Sequence, residues 1–286
     1  MKKILVSIVN YNSWNHIREL FDYIDKVKLD TDMVDFCVID NKSTSEDIPQ
    51  LQKYCIAHWI HFLQAQKNGG FAYGNNRIIE YMTGLWKSYE YYFLINPDML
   101  IEDKDFFNTI YDQTLKHKAD IIWPMICEYG NKDIIHFAWW FLKWPVLYPT
   151  KLWRWKNDTW LYKDIECDYI NGSAMMISSK LWHTIWGMDE SYFLYFEETD
   201  FCRQAKLSWS KIICTTKTKI YDKISGSVGR MSRLYVRQMI KNYKRFAGKY
   251  IHGVHKMIRW LFYIWFWCPV FIFLSIKSWN RNEKKI

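Results

Sequence analysis

An α/β fold built on a mostly parallel central sheet is what this sequence predicts. Two observations carry the prediction. Short apolar runs rich in Val, Ile and Phe alternate with segments of helical spacing, an order that favours parallel strands joined by helices. Several of the apolar runs stop at polar tips, Asn10–Asn12, Asp40 and Asn96–Asp98, and ligands of open α/β sheets gather at the carboxyl ends of the strands.

Taken in order, "KILVSIVNYN" reads as a buried first strand, and "SWNHIRELFDYIDKV" as a helix with Ile17, Leu20, Phe21 and Ile24 on one face. "DFCVIDNKST" is a second strand closing at Asp40, with a short helix from Asp47 to Tyr54 after it. "HWIHFLQAQKNGGFAYGNN" gives a strand, a glycine-rich turn and a helix through Ile79 and Met82. "YEYYFLINPDM" is another strand ending at a polar tip. From Trp123 to about Trp160 the pattern is irregular and rich in Trp and Pro, and is expected to form loops and short strands over the site. "DYINGSAMMIS" resumes as a strand, with a helix over "KLWHTIW".

The chain divides by charge. Residues 226–286 contain thirteen Lys/Arg and one acid, Glu283, whereas residues 1–225 sum to −3. The expected organisation is therefore a folded domain over 1–230 and a basic helical tail over 231–286. In the tail, Val236, Met239, Ile240, Tyr243, Ala247 and Tyr250 share a helical face, and Arg233, Arg237, Lys241, Lys244 and Arg245 occupy much of the remainder. Such a helix suits either an anionic bilayer or packing on the domain. Trp260 to Ile276 holds no charge and is near the minimum length for a bilayer span; Pro269 and its tryptophans also suit a kinked interfacial helix. A basic, aromatic tail favours a membrane surface over nucleic acid. Seven scattered cysteines with no C-x-x-C spacing argue against a zinc site or disulfide framework and for a reducing compartment. The 17 tryptophans exceed ordinary usage and suggest surfaces that meet sugars or lipid headgroups.

Carboxylates carry the chemistry. A carboxylate at a strand tip, Asp98 in "NPD", suits a divalent cation when phosphate oxygens supply other ligands, although such a tripeptide also makes an ordinary turn. Asp40 is placed either to accept from a base or ribose or to cap a helix. "YFLYFEETDFCRQ" packs Glu197, Glu198 and Asp200 behind a run of aromatics. Repulsion and partial burial raise the pKa of at least one such acid, which suits a general base; a solvated helix start also favours acids.

In combination, "VSIVNYN", "DNKST", "NGGFAYGNN", "NPD", "NGSAMMI" and "GMDESYFLYFEETDFCRQA" resemble the family 2 glycosyltransferases of the GT-A fold, especially the rhamnosyltransferase-like members that build bacterial surface polysaccharides. The likeness covers about residues 3–230. It implies that Asn10, Tyr11 and Asn12 meet the nucleotide, that Asp40 contacts its base, and that Gly70 and Asn75 belong to the segment closing over the nucleotide sugar. Asp98 matches the metal-binding acid, with Asn96 in place of the first acid of that motif. Glu198 matches the general base, and Glu197 is its reserve. Asp168, Gly172 and Asp200 fall on the acceptor side. Relatives often carry a His where this chain has Asp222; aspartate is also a hard oxygen ligand for Mg²⁺ or Mn²⁺, but adds negative charge beside a diphosphate.

The resemblance implies an inverting, metal-dependent enzyme at the cytoplasmic face of the cell membrane. It would take a dTDP- or UDP-linked sugar as donor and a polyprenyl-diphosphate-linked saccharide as acceptor, with no nucleic-acid partner. A catalytically inactive, membrane-attached nucleotide-sugar-binding scaffold is the alternative.

Overall fold

The computed structural model describes residues 3–137, 139–143, 148–152, 156–157, 163–223, 233–253, 255–257 and 261. The chain forms two compact units, one of Met1–Phe141 with Lys151–Ser225, the other of Leu142–Thr150 with Gly226–Ile286.

In the larger unit, strand β1 (Ile4–Asn10) leads to helix α1 (Trp14–Val27), β2 (Val34–Asp40), α2 (Ile48–Ala57), β3 (His61–Gln64), α3 (Gly70–Gly84) and β4 (Tyr91–Ile95). β3, β2, β1 and β4 lie side by side and parallel. Asn10, Asp40 and Gln64 stand in register across three of these strands. One end of the sheet thus collects polar strand tips, as the alternation of elements predicts.

The second half departs from the parallel pattern. After β5 (Met99–Leu100), α4 (Phe106–His117) and β6 (Ile121–Glu128), the chain makes the short strands β7 (Ile134–Phe137), β8 (Trp139–Lys143), β9 (Tyr148–Leu152), β10 (Lys156–Asn157) and β11 (Ile165–Glu166). β12 (Ala174–Ser178) then inserts antiparallel between β4 and β6. Helices α5 (Ser179–Thr184) and α6 (Glu197–Leu207) precede β13 (Ile212–Asp222), which runs parallel to β6 with an irregular register between Thr215 and Lys219. Because β12 runs against its neighbours, its beginning, at Gly172–Ser173, arrives at the same end of the sheet as the tips of β1, β2 and β4. β13 delivers Asp222 to that end as well.

The region from Trp123 begins otherwise than expected. Trp123 lies wholly buried within β6, a central strand whose apolar run continues through Pro124 to Cys127. Pro124 reads as a breaker in the sequence, yet it sits inside the strand beside Thr215, where the β6–β13 register is about to shift. Of the other tryptophans in that region, Trp144, Trp153, Trp155 and Trp160 lie outside the described residues.

The core on both faces of the sheet is dense in aromatics. Phe93, Phe106 and Phe107 meet edge to face, with centroids 5.3–5.7 Å apart. The six described cysteines are all buried and unbridged, and burial pushes the thiols of Cys37, Cys55, Cys167, Cys202 and Cys214 upward, Cys202 to about 12. In the smaller unit α7 (Arg233–Tyr250) buries Val236, Tyr243, Phe246 and Ala247. Trp260–Ile276, apart from Leu261, lies outside the described residues; among those described, no helix is long and apolar enough to cross a membrane.

Candidate active site

The first wall of the site grows from the tips of β1 and β2. Asn10 is fully buried; its Nδ2 donates to Asp40 Oδ1 at 2.9 Å and to Ser43 Oγ at 3.2 Å, while its Oδ1 accepts from the Ser13 amide. Asp40 is equally buried and accepts from the Ser43 hydroxyl at 2.5 Å. These two residues brace the loops rather than face solvent. The groups they present outward are Tyr11, 40% exposed, and Asn12, whose backbone is left-handed (φ 53°) and whose Oδ1 accepts from the Thr44 and Ser45 amides.

The second wall is the start of α3. Asn41, which the sequence reading passed over, donates through Nδ2 to Gly70 O at 3.0 Å and Asn68 Oδ1 at 3.1 Å, tying the β2 tip to the glycine turn. Gly70 has φ +86°, and a Cβ there would stand 1.8 Å from the Phe193 carbonyl oxygen, so only glycine fits. Asn75 is fully buried: it accepts from Ser7 Oγ at 2.6 Å and donates to the Phe71 carbonyl. Its hydrogen bonds are spent inside the protein, holding α3 to β1. The next residue, Asn76, bonds both the amide and the carbonyl of Met188, and Glu190 accepts from Asn76 and Arg77. The loop that leads to the acidic stretch is thereby clamped to α3.

The acids themselves open α6. Tyr195 and Phe196 both have left-handed backbones, φ 69° and 76°, a conformation bulky residues rarely adopt. This double kink turns the chain so that Glu197, Glu198 and Asp200 fall in the first helical turn, where the helix dipole favours them. The three then differ sharply. Asp200 has no exposed surface and accepts from Tyr192 OH at 3.3 Å and Gln204 Nε2 at 2.9 Å, so it anchors the helix from within instead of reaching the acceptor side of the cleft. Glu197 is buried, with Oε2 lacking any hydrogen-bond partner. Burial, and then the neighbouring Glu198 charge, hold its carboxyl well above the usual range, in the protonated form. Glu198 is partly exposed. It lies against Gly172, where an added Cβ would come within 3.3 Å of Glu198 Cβ and 3.4 Å of Phe71 Cε1. A side chain at 172 would crowd both.

The third wall joins the remaining tips. The Asn96 amide donates to the Ser173 carbonyl at 2.9 Å, so the Asn96–Asp98 turn and the Gly172 strand start are adjacent. β13 pairs with β5, bringing Asp222 opposite Met99, and the Lys223 amide donates to the Asp98 carbonyl at 3.3 Å. Lys223 in turn forms an ion pair with Glu19. Asp168, partly exposed, follows β11 on the approach to Gly172. Through these contacts Asp98 and Glu198, a hundred residues apart in sequence, belong to one end of one sheet, linked by Asn96, Ser173 and Gly172.

Asp98, in the turn just before β5, and Asp222, at the end of β13, carry oxygen donors of the kind a hard divalent cation takes when phosphate oxygens complete its shell. Among the described residues no group of three His, Cys, Asp or Glu side chains is close enough to hold an ion unaided. A cation held by Asp98 and Asp222 would need further oxygens from a substrate.

No protein-family model matches the chain. It is 30% identical over 218 residues to the low-salt glycan biosynthesis hexosyltransferase Agl10 of Haloferax volcanii, which covers 70% of this chain and 61% of that protein. The chain thus spans about three fifths of that relative's length. Among solved structures it resembles GalNAc-T7 with UDP, GalNAc and Mn²⁺, at TM-score 0.67 and 12% identity, over 87% of this chain and 48% of that one. It also resembles the mannosyltransferase PcManGT from Pyrobaculum calidifontis with GDP-Man and Mn²⁺, at TM-score 0.61 and 11% identity, over 88% and 65%. A third is S. aureus TarS 1-349, at TM-score 0.55 and 16% identity, over 85% and 64%. These likenesses show the fold: a mixed α/β domain of the GT-A glycosyltransferase type.

Proposed function

We propose that the chain is an inverting, metal-dependent glycosyltransferase that moves a hexosyl group from a nucleoside-diphosphate sugar to a saccharide on a polyprenyl-diphosphate carrier, at the membrane surface, in the assembly of a surface polysaccharide. The single observation that supports it best is the meeting of Glu198 with the Asn96–Asp98 turn through Gly172 and Ser173. The hexosyltransferase relative and the nucleotide-sugar complexes among the fold neighbours agree with it.

In this reading Tyr11, Asn12 and the Ser43–Thr44 loop receive the nucleotide, with Asn10 and Asp40 holding them from below. Asp98 and Asp222 would hold Mg²⁺ or Mn²⁺, which supplies charge neutralisation for the leaving diphosphate. Glu198 Oε takes the proton of the acceptor hydroxyl as it attacks the anomeric carbon. One displacement inverts the configuration. Burial and the neighbouring Glu198 push the carboxyl of Glu197 upward, toward the neutral form, which limits the repulsion between the two acids.

Purified protein with Mn²⁺ and a panel of nucleotide sugars tests the reading. Glu198→Gln is expected to lower transfer by about 10²- to 10⁴-fold while donor binding persists. Undiminished transfer in that variant removes the assigned base. Donor binding with no turnover by the unaltered protein on any lipid-linked acceptor leaves the scaffold alternative in its place.

A further inference from the structure

We propose that α7 docks the protein on anionic phospholipid by charge alone, without inserting its apolar face. Val236, Tyr243, Phe246 and Ala247 are already buried in the protein and Met239, Ile240 and Tyr250 are half-covered, so little of that face is available to the acyl region. The residues the helix leaves most exposed between Val236 and Tyr250 are Arg237, Lys241, Lys244, Arg245, Gly248 and Lys249, with no acid among them. The stripe runs about 18 Å along the axis, longer than the Debye length of about 8 Å at physiological salt. It therefore meets a charged surface as an array. Phosphate-rich lipid headgroups complement it, each basic side chain adding about fivefold to partitioning. Nucleic acid offers the same phosphates and is the competing outcome.

Vesicles of phosphatidylcholine, with and without phosphatidylglycerol, separate the cases by flotation of the full chain. The expected result is extra binding that appears with phosphatidylglycerol, disappears at high salt, and falls on the order of a hundredfold in Arg237→Gln/Lys241→Gln/Lys244→Gln. Binding indifferent to phosphatidylglycerol overturns the proposal, as does a triple variant that keeps the full increment. Retention of duplex DNA with no vesicle binding overturns it in favour of nucleic acid.

A separate observation carries a second inference. Trp59, Trp86, Trp186 and Trp209 all have left-handed backbones, φ 59–64°, and all are 91–98% exposed. Each stands just past the end of a helix, α2, α3, α5 and α6 respectively. At three of them the next amide bonds back five residues: Ile60 to Cys55, Gly187 to Trp182, Ser210 to Ala205. That is the Schellman closure, whose left-handed position belongs to glycine. Tryptophan there bears backbone strain and, with its ring in water, has no packing to offset it. The composition agrees: 11 Gly in 286 residues, against 17 Trp, where about 7% glycine, roughly twenty residues, is ordinary.

The geometry points to glycine at these four positions in the protein as its own cell makes it, from UGA codons. UGA ends translation in the standard code, is read as tryptophan in some genetic codes and as glycine in others. Two measurements test this. The gene should carry UGA at all four codons, and peptides from the native cell should carry glycine there; UGG codons, or tryptophan in those peptides, overturn it. In recombinant protein, Trp59→Gly/Trp86→Gly/Trp186→Gly/Trp209→Gly is expected to raise Tm by roughly ten degrees. An unchanged or lower Tm would show that tryptophan suits these turns after all.

Discussion

At the scale of the residue, the two neighbouring glutamates divide one task by environment. Glu197 is buried and Glu198 is partly exposed, although they are adjacent in sequence and identical in chemistry. The difference leaves a signature in stability. Because the folded protein holds Glu197 above its unfolded pKa, the folded state binds more protons between the two values. Stability attributable to this group is therefore full below the ordinary carboxylate range and lost as pH rises through the folded value. Glu197→Gln removes the titration. Its unfolding free energy is expected to fall less steeply than that of the unaltered protein from pH 4 upward, measured by urea denaturation across pH. A variant with the same slope would show that Glu197 does not titrate in this way. That the acids cluster was legible in the sequence; which of the three is buried, anchoring or open was not, because burial depends on what packs over α6.

At the scale of the element, the site depends on how α3 begins. Gly70 touches the Phe193 carbonyl, so the glycine turn and the loop before the acids lock together. Gly70→Ala brings both a collision and a strained φ, and is expected to destabilise by about 2 kcal/mol or more, lowering Tm by about five degrees. Donor KM should rise more than kcat falls, since the variant disturbs the nucleotide-sugar side first. A thermal melt and initial-rate kinetics check both. The glycine-rich turn stood out in the sequence as a turn or as a place for close backbone approach. The partner it approaches, 123 residues further on, is supplied by tertiary contact. The same holds for Asn75 and Asp200, which by position look like ligands of a substrate and by structure tie elements together.

At the scale of the molecule, both halves of the sheet must converge on one end for a cation to be shared with the donor. With Asp98 and Asp222 as the proposed ligands, metal and nucleotide should bind as partners. In thermal-shift experiments, donor at about a hundred times its Kd with Mn²⁺ is expected to stabilise by about 2.7 kcal/mol, several degrees in Tm. EDTA should abolish both that shift and transfer, and Asp98→Asn should weaken both. A donor shift of the same size in EDTA would mean that the diphosphate is held without a cation.

By itself the sequence determined the alternation of strands and helices, the polar tips of β1, β2 and β4, the acidic turn of α6 and the confinement of the net positive charge to residues 226–286. Each is written in local patterns, an apolar period or a charge count, that need no partner to be read. Only the tertiary structure decided that β12 enters antiparallel and so delivers Gly172 to Glu198, that β6 runs through Pro124 as a central strand, and that α7 buries Val236, Tyr243 and Ala247 while leaving Arg237, Lys241 and Lys244 exposed. Those outcomes turn on contacts between distant segments, where burial and strand direction are properties of the neighbour as much as of the residue.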